Sequence, residues 1–180
     1  MKRWKTRKTE DIIRNRWIGV RKDKVELPNH LVVDDFYVIS ISDAAAVVAL
    51  TPERNLILKK EYRYACDEVL TELPAGMFEP EETDGWNVAQ RELLEETGYT
   101  SDNWTYLGAT RESSSKLSNR MHLYLALDCR KVSEPHLDAT EDLEILVVPF
   151  AQAVEMVMRN EICCNSSAHG ILRAARMMNV

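Results

Sequence analysis

No apolar run in this chain approaches the roughly 20 residues needed to cross a bilayer, and no apolar signal core follows its basic start. A cytoplasmic location is expected on that ground. Cysteine is sparse: Cys66, Cys129, Cys163 and Cys164 show none of the paired spacing of a zinc site. Adjacent Cys163 and Cys164 read as buried thiols in a reducing compartment, which excludes a disulfide scaffold. Basic charge is also short, since the net charge is −6, so no nucleic-acid footprint is expected. The opening Met1 to Lys8 reads as a solvated end rather than a binding arm. Internal repeats and low-complexity linkers are missing, which removes solenoids and tethered arrays.

What is present is enough for a core. A chain of 180 residues with 45% hydrophobic content supports one domain, preceded by a small extension. Arg16 to Arg21 and Lys24 to Leu27 flank a polar turn and suggest a hairpin. Leu31 to Ser42 is rich in β-branched and aromatic residues, and Ala44 to Thr51 suits a buried strand. After the turn at 51–55, further strands are expected at Leu56 to Tyr62, Trp104 to Arg111, Met121 to Cys129 and Leu143 to Val148. Helices are expected at about 84–97, capped by Thr83 or Asp84 and closed by Gly98, and near 150–159 and 166–178. The fold class is α+β.

The densest signal is the segment from Gly76 to Tyr99, which ends in Arg91-Glu92-Leu93-Leu94-Glu95-Glu96-Thr97-Gly98-Tyr99. On a helix, Glu92, Glu95 and Glu96 fan over an arc of about 100°. Ala89, Leu93, Trp86 and Leu94 are expected on the adjacent arc, pressed into a core. Three like charges on one turn repel, and a cation resolves the conflict. Hard oxygen ligands suit Mg²⁺ or Mn²⁺. Arg91, four residues before Glu95, can hold one carboxylate in place. An isolated motif of this kind reads equally as a solvated acidic surface. Glu72-Leu73-Pro74-Ala75-Gly76 just upstream puts it in a strand-loop-helix context and favours the metal site.

These residues resemble the Nudix hydrolase box, which runs Gly, five residues, Glu, seven residues, Arg-Glu-apolar-any-Glu-Glu-any-Gly-apolar. Every fixed residue is present, but eight positions separate Glu82 from Arg91. Gly85 is expected to absorb the extra residue as a loop bulge, and the aim of Glu82 depends on that loop. The resemblance implies an α/β/α sandwich with a mixed sheet over residues 43–180. It also implies a β extension over residues 1–42 that joins a homodimer.

Lys60-Glu61-Tyr62-Arg63-Tyr64 and Glu72 to Gly76 resemble segments of ADP-ribose and nucleoside-diphosphate-sugar pyrophosphatases. By that resemblance Arg63 and Glu72 are candidate substrate contacts, although a strand-end surface Arg is an equal reading of Arg63. The resemblance also places a metal on the Ala75 carbonyl, Glu92, Glu95, Glu96 and Glu82, and a nucleobase against an aromatic of the extension, for which Trp17, Phe36 and Tyr37 are available. Arg91 and Glu95 join the catalytic group. It puts the base in an acidic run before a strand, here Asp138 to Ile145, with Glu141 first and Glu144 and Asp142 behind it.

Members directed to ADP-ribose carry Ser-Pro-Gly and then Glu after the box. This chain has Ser113-Ser114-Ser115 and Asn119 there, and Arg120 makes the loop more basic, which suits an anionic substrate. The implied activity is hydrolysis of a diphosphate linkage in ADP-ribose or a related nucleotide sugar. A regulatory domain that binds a nucleotide without cutting it, and a structural metal module, are the alternatives.

Overall fold

The computed structural model describes residues 1–180, and they form two compact units. The first comprises Met1–Asp43 and Arg111–Arg120. Its antiparallel sheet runs β1 (Lys5–Arg14), β2 (Gly19–Glu26), β3 (Val32–Ser40), in that order. The hairpin therefore differs from the sequence expectation. Its turn is residues 15–18, where Asn15 Oδ1 accepts from the backbone N–H of Trp17 at 2.8 Å and Ile18 at 3.0 Å. The charged stretch around Lys22 to Lys24 is strand, because alternation buries Asp23 and Val25 and turns the lysines to the other face, Lys24 exposed and Lys22 half-buried. The basic opening is likewise strand from Lys5 onward, though every residue of β1 is exposed. Within the same unit, Ile39 N–H donates to the Lys116 carbonyl at 2.8 Å, so segment 111–120 lies along β3.

The second unit, Ala44–Thr110 with Met121–Val180, holds a seven-stranded mixed sheet. Its path is β12 (Leu143–Pro149), β5 (Asn55–Arg63), β4 (Ala44–Leu50), β10 (Met121–Leu127), β9 (Asn103–Thr110). β4 and β10 are parallel and the other pairs antiparallel. β4 and β5 pair only at Ala49–Leu50 with Leu56–Ile57 and then diverge. The split is filled by β6 (Glu68–Glu72) on β5 and β7 (Ala75–Met77) on β4. The Glu72 to Gly76 segment thus sits in the middle of the sheet. Val47 N–H donates to the Pro74 carbonyl at 3.0 Å there. Two residues each of β8 (Tyr99–Thr100) and β11 (Arg130–Lys131) make a separate ribbon.

Helices cover both faces. α1 (Gly85–Thr97) packs its Val88, Ala89 and Leu93 on Ala45, Val47, Ala49 and Ile57. α2 (Phe150–Met158) and α3 (Asn165–Met178) close the other face over Val48, Leu56, Leu58 and Leu123. This is the α/β/α sandwich expected. No helix is long and apolar enough to cross a membrane.

Three local expectations are corrected. Leu94 is 38% exposed, because the helical wheel turns it away from the arc that buries Leu93. Gly85 is no bulge: it is the buried first residue of α1, and a Cβ there would meet Tyr124 Oη and the His122 ring. Asp84 caps that helix by accepting from Trp86 N–H at 3.0 Å. Cys163 is exposed and Cys164 only half-buried, since they lie in the turn before α3 rather than inside an element.

Candidate active site

The site forms where α1 crosses the split between β4 and β5. Helix geometry turns Glu92 and Glu96 toward the sheet, so they are 7% and 2% exposed, while the Glu95 side chain stays 45% exposed. Gly98 ends the helix with φ 73°, a left-handed turn that leaves its N–H bonded to the Leu94 carbonyl at 2.8 Å. Gly76 permits the close approach: a Cβ there would overlap the Glu92 carboxylate.

Arg91 organises one half of the acidic cluster. Its Nη1 donates to Glu92 at 2.7 Å and Glu95 at 3.0 Å, and Nη2 also reaches the Met77 carbonyl at 3.2 Å. Nε and Nη2 donate to the two oxygens of Glu82. Glu82 is therefore aimed at the cluster despite the extra residue. Glu79 N–H, at 2.8 Å from Glu82 Oε2, fixes the loop from its other side.

Lys59 and Arg63 organise the other half. Both lie on β5, with Glu61 between them, on the face that α1 covers. Lys59 Nζ binds Glu96 Oε1 and stands 3.0 Å from Glu61 Oε2. Ala75 N–H donates to Glu96 Oε2 at 2.9 Å. Arg63 donates from Nε to Glu72 at 2.8 Å and from Nη1 to Glu61 at 3.0 Å. The candidates thus form two hydrogen-bonded groups, Glu82, Glu92 and Glu95 on Arg91, and Glu96 with Ala75 and Lys59 beside Arg63 and Glu72, which α1 sets side by side through Glu92 and Glu96.

Electrostatics follow from this burial. Burial pushes Glu96 up to about 7, with Lys59 opposing it. Burial likewise raises Glu92, against the pull of Arg91. Glu82 is lowered by its hydrogen bonds from Arg91. For Lys59, burial works downward, but Glu96 and Glu61 outweigh it and keep the ammonium charged.

The other candidates make none of these hydrogen bonds. Glu141 Oε2 accepts from Asp138 N–H at 2.9 Å, closing its own turn. Glu144 pairs with Lys60 across β12 and β5, between Leu143 and Ile145. Strand alternation therefore puts it on the sheet face opposite Lys59 and Glu96. Trp17 and Arg120 belong to the first unit. Trp17 is exposed beneath the Arg16 guanidinium, 4.4 Å from its ring centroid. It lines a concavity of about 680 Å³ with Arg14, Arg21 and Asp23. Arg120 is exposed, and its N–H donates to Asp43 at 2.7 Å.

In kind, the donors fit a hard divalent cation: several carboxylates beside the backbone of β7. No three of them converge at ligating distance here; Arg91 takes Glu92 Oε1 and Lys59 takes Glu96 Oε1. Lys59 and Glu61 were missed in sequence. The signal was a charged pair at alternate positions of an apolar strand, on the face that also carries Ile57.

Comparison with known proteins bears on this geometry. The family profile described as "NUDIX domain" matches residues 41–162, and that described as "Nucleoside diphosphate sugar hydrolase N-terminal domain" matches 4–39. An ADP-ribose pyrophosphatase of Bacillus subtilis (strain 168) is 31% identical over 168 residues, 93% of this chain and 90% of that one. The methanol dehydrogenase activator of Bacillus methanolicus is 31% identical over 159 residues, 88% and 85% of the two chains. A solved structure, "Crystal structure of ADP compounds hydrolase", aligns with a TM-score of 0.84 at 20% identity, over 99% of this chain and 96% of that chain. At that identity the likeness is one of fold.

Proposed function

This chain belongs to the Nudix family of hydrolases, and from that premise we propose that it splits the diphosphate linkage of a nucleoside diphosphate derivative with Mg²⁺ or Mn²⁺. ADP-ribose, cut to AMP and ribose 5-phosphate, is the first candidate, and a related nucleotide sugar is the second. The observation that carries the reading is the acidic face of α1, with Glu92 and Glu96 buried against Ala75 and Gly76 of β7, Glu92 held by Arg91 and Glu96 by Lys59. The relatives named ADP-ribose pyrophosphatase, from Bacillus subtilis and Mycobacterium tuberculosis, support the substrate class.

Glu92, Glu95, Glu82 and the Ala75 carbonyl would hold the cation, with Glu96 bordering it while paired to Lys59. Bound there, the ion would supply charge neutralisation for the diphosphate and activation of the attacking water. Arg91 keeps the carboxylates oriented. Arg63, anchored by Glu72, presents a guanidinium to phosphate oxygens. Glu141 is the proposed base, because Glu144 lies on the other face of the sheet. Trp17 and Arg120 are proposed to meet the nucleobase and an anionic group.

The exposed β1, with Ile12 and Ile13 open to solvent, and the exposed Trp17 in the turn after it support pairing of two copies. Light scattering would test that. A regulator that binds without cutting is disfavoured, since every box carboxylate is retained.

The test is phosphate release, coupled to a phosphatase, across ADP-ribose and nucleoside diphosphate sugars with Mg²⁺ or Mn²⁺. Turnover of one panel member that Glu96→Gln abolishes is expected. Silence across the panel, with tight metal-dependent nucleotide binding, would favour the regulator.

A further inference from the structure

Lys59 is the bulkiest fully buried side chain of the protein, at 1% exposure. An ammonium there is costly unless it is paired, and nothing in the packing of β5 requires one. Its strand neighbours Leu56 and Leu58 fill the core under α2 and α3, and Ile57 fills the core under α1. Lys59 continues the Ile57 face and ends among carboxylates rather than among apolar groups.

We propose that Lys59 is a resident cation of the acidic site. Its ammonium takes the place beside Glu96 that a further divalent ion would occupy, so the site binds one divalent ion fewer than its carboxylates would otherwise accept. The inference rests on reading these carboxylates as a divalent-cation site.

Both oxygens of Glu96 are already engaged by the chain, Oε1 by Lys59 and Oε2 by Ala75 N–H. Glu61 supplies a second negative neighbour at 3.0 Å, through an oxygen that is buried and receives no aligned hydrogen bond. The charges also divide unevenly. Glu82, Glu92 and Glu95 share the single guanidinium of Arg91, which leaves two negative charges for a divalent ion. Glu61, Glu72 and Glu96 share Lys59 and Arg63, which leaves one. An ion bound on Glu96 would have to displace a buried ammonium or sit against its positive charge. Lys59 is thus a positioning residue: it holds Glu96 in place and directs metal to the Arg91 side.

The probe is Mn²⁺ alone, added to the full chain near neutral pH. Bound ions would be counted by electron paramagnetic resonance and by calorimetry in wild type, Lys59→Met and Lys59→Gln. Each neutral variant is expected to bind one more Mn²⁺ per chain than wild type, with a larger Mn²⁺-induced rise in melting temperature. A purely structural lysine would move the melting temperature but not the count, so equal counts in folded variants overturn the proposal. If wild type binds Mn²⁺ and the count does not change, only Lys59 is misread. If no form binds it, the proposed function falls too. Should both variants fail to fold, wild-type crystals soaked in Mn²⁺ decide by anomalous scattering. Manganese on Glu92 or Glu95 with Lys59 still on Glu96 is expected. Manganese on Glu96 Oε1 with the ammonium displaced overturns the proposal.

Discussion

Arg91 grips Glu82 with two parallel hydrogen bonds of 3.0 Å, from Nε to Oε1 and from Nη2 to Oε2. A fork of this kind fixes direction as well as distance, which a single ammonium cannot do. It ties the loop before α1 to the carboxylates on α1 itself.

Arg91→Lys is therefore expected to cost about 1.5–3 kcal/mol of hydrogen bonding to charged groups, seen as a ten- to hundredfold fall in kcat/KM at about 1.4 kcal/mol per tenfold. The paired change Glu82→Gln should not add to it, because the two residues act as one unit. Strictly additive losses in a double-mutant cycle would contradict the coupling.

Gly76→Ala probes the close approach to Glu92. The new Cβ overlaps that carboxylate, and overpacking of this kind costs about 1–3 kcal/mol. Activity should fall by more than the melting temperature suggests, since Glu92 moves with the cluster. Wild-type turnover and unchanged melting would show that β7 and Glu92 are less closely packed than described.

The stability of the metal-free protein should depend on pH through Glu96 and Glu92. Both are acids raised by burial, Glu96 from 4.5 to about 7. The folded state therefore holds these protons more tightly than the unfolded chain. Stability is expected to fall as pH rises from the unfolded value to about 7, and then to level. A divalent ion competes for the same oxygens, so Mg²⁺ stabilisation should grow over the same interval. Melting curves from pH 5 to 9, with and without Mg²⁺, check both trends. A Mg²⁺ effect that is flat across that range would contradict them.

Leu93 and Leu94 are neighbours in sequence with opposite fates. Leu93 is fully buried and Leu94 is 38% exposed. Leu93→Ala should cost about 2–5 kcal/mol, while Leu94→Ala should stay within about 0.5 kcal/mol. Urea denaturation separates the two, and equal losses would mean the helix is rotated from the orientation described.

Most long elements were legible before folding, because each repeats a simple period. β4, β5, β10 and β12 are apolar or alternating runs, and α1 carries a cap at Asp84 and a stop at Gly98. Short pieces were not. β6, β7, β8 and β11 have too few residues for a period, and they exist because a neighbouring strand offers unpaired hydrogen bonds. The first hairpin was misplaced for a related reason: charged residues at Lys22 to Lys24 resemble a turn until an adjacent strand pairs with them.

The sequence by itself determined the carboxylates, the arginine at their head and the glycine that ends their helix, since a helical turn places residues three and four apart on one side whatever surrounds it. Tertiary structure decided how those charges are balanced. Only the splitting of β4 from β5 brings Ala75 and Gly76 under Glu92 and Glu96, and only the face of β5 brings Lys59 to Glu96 across 37 positions of chain. Period is a local property of the backbone, whereas charge compensation in a buried site depends on which distant strand happens to face the helix.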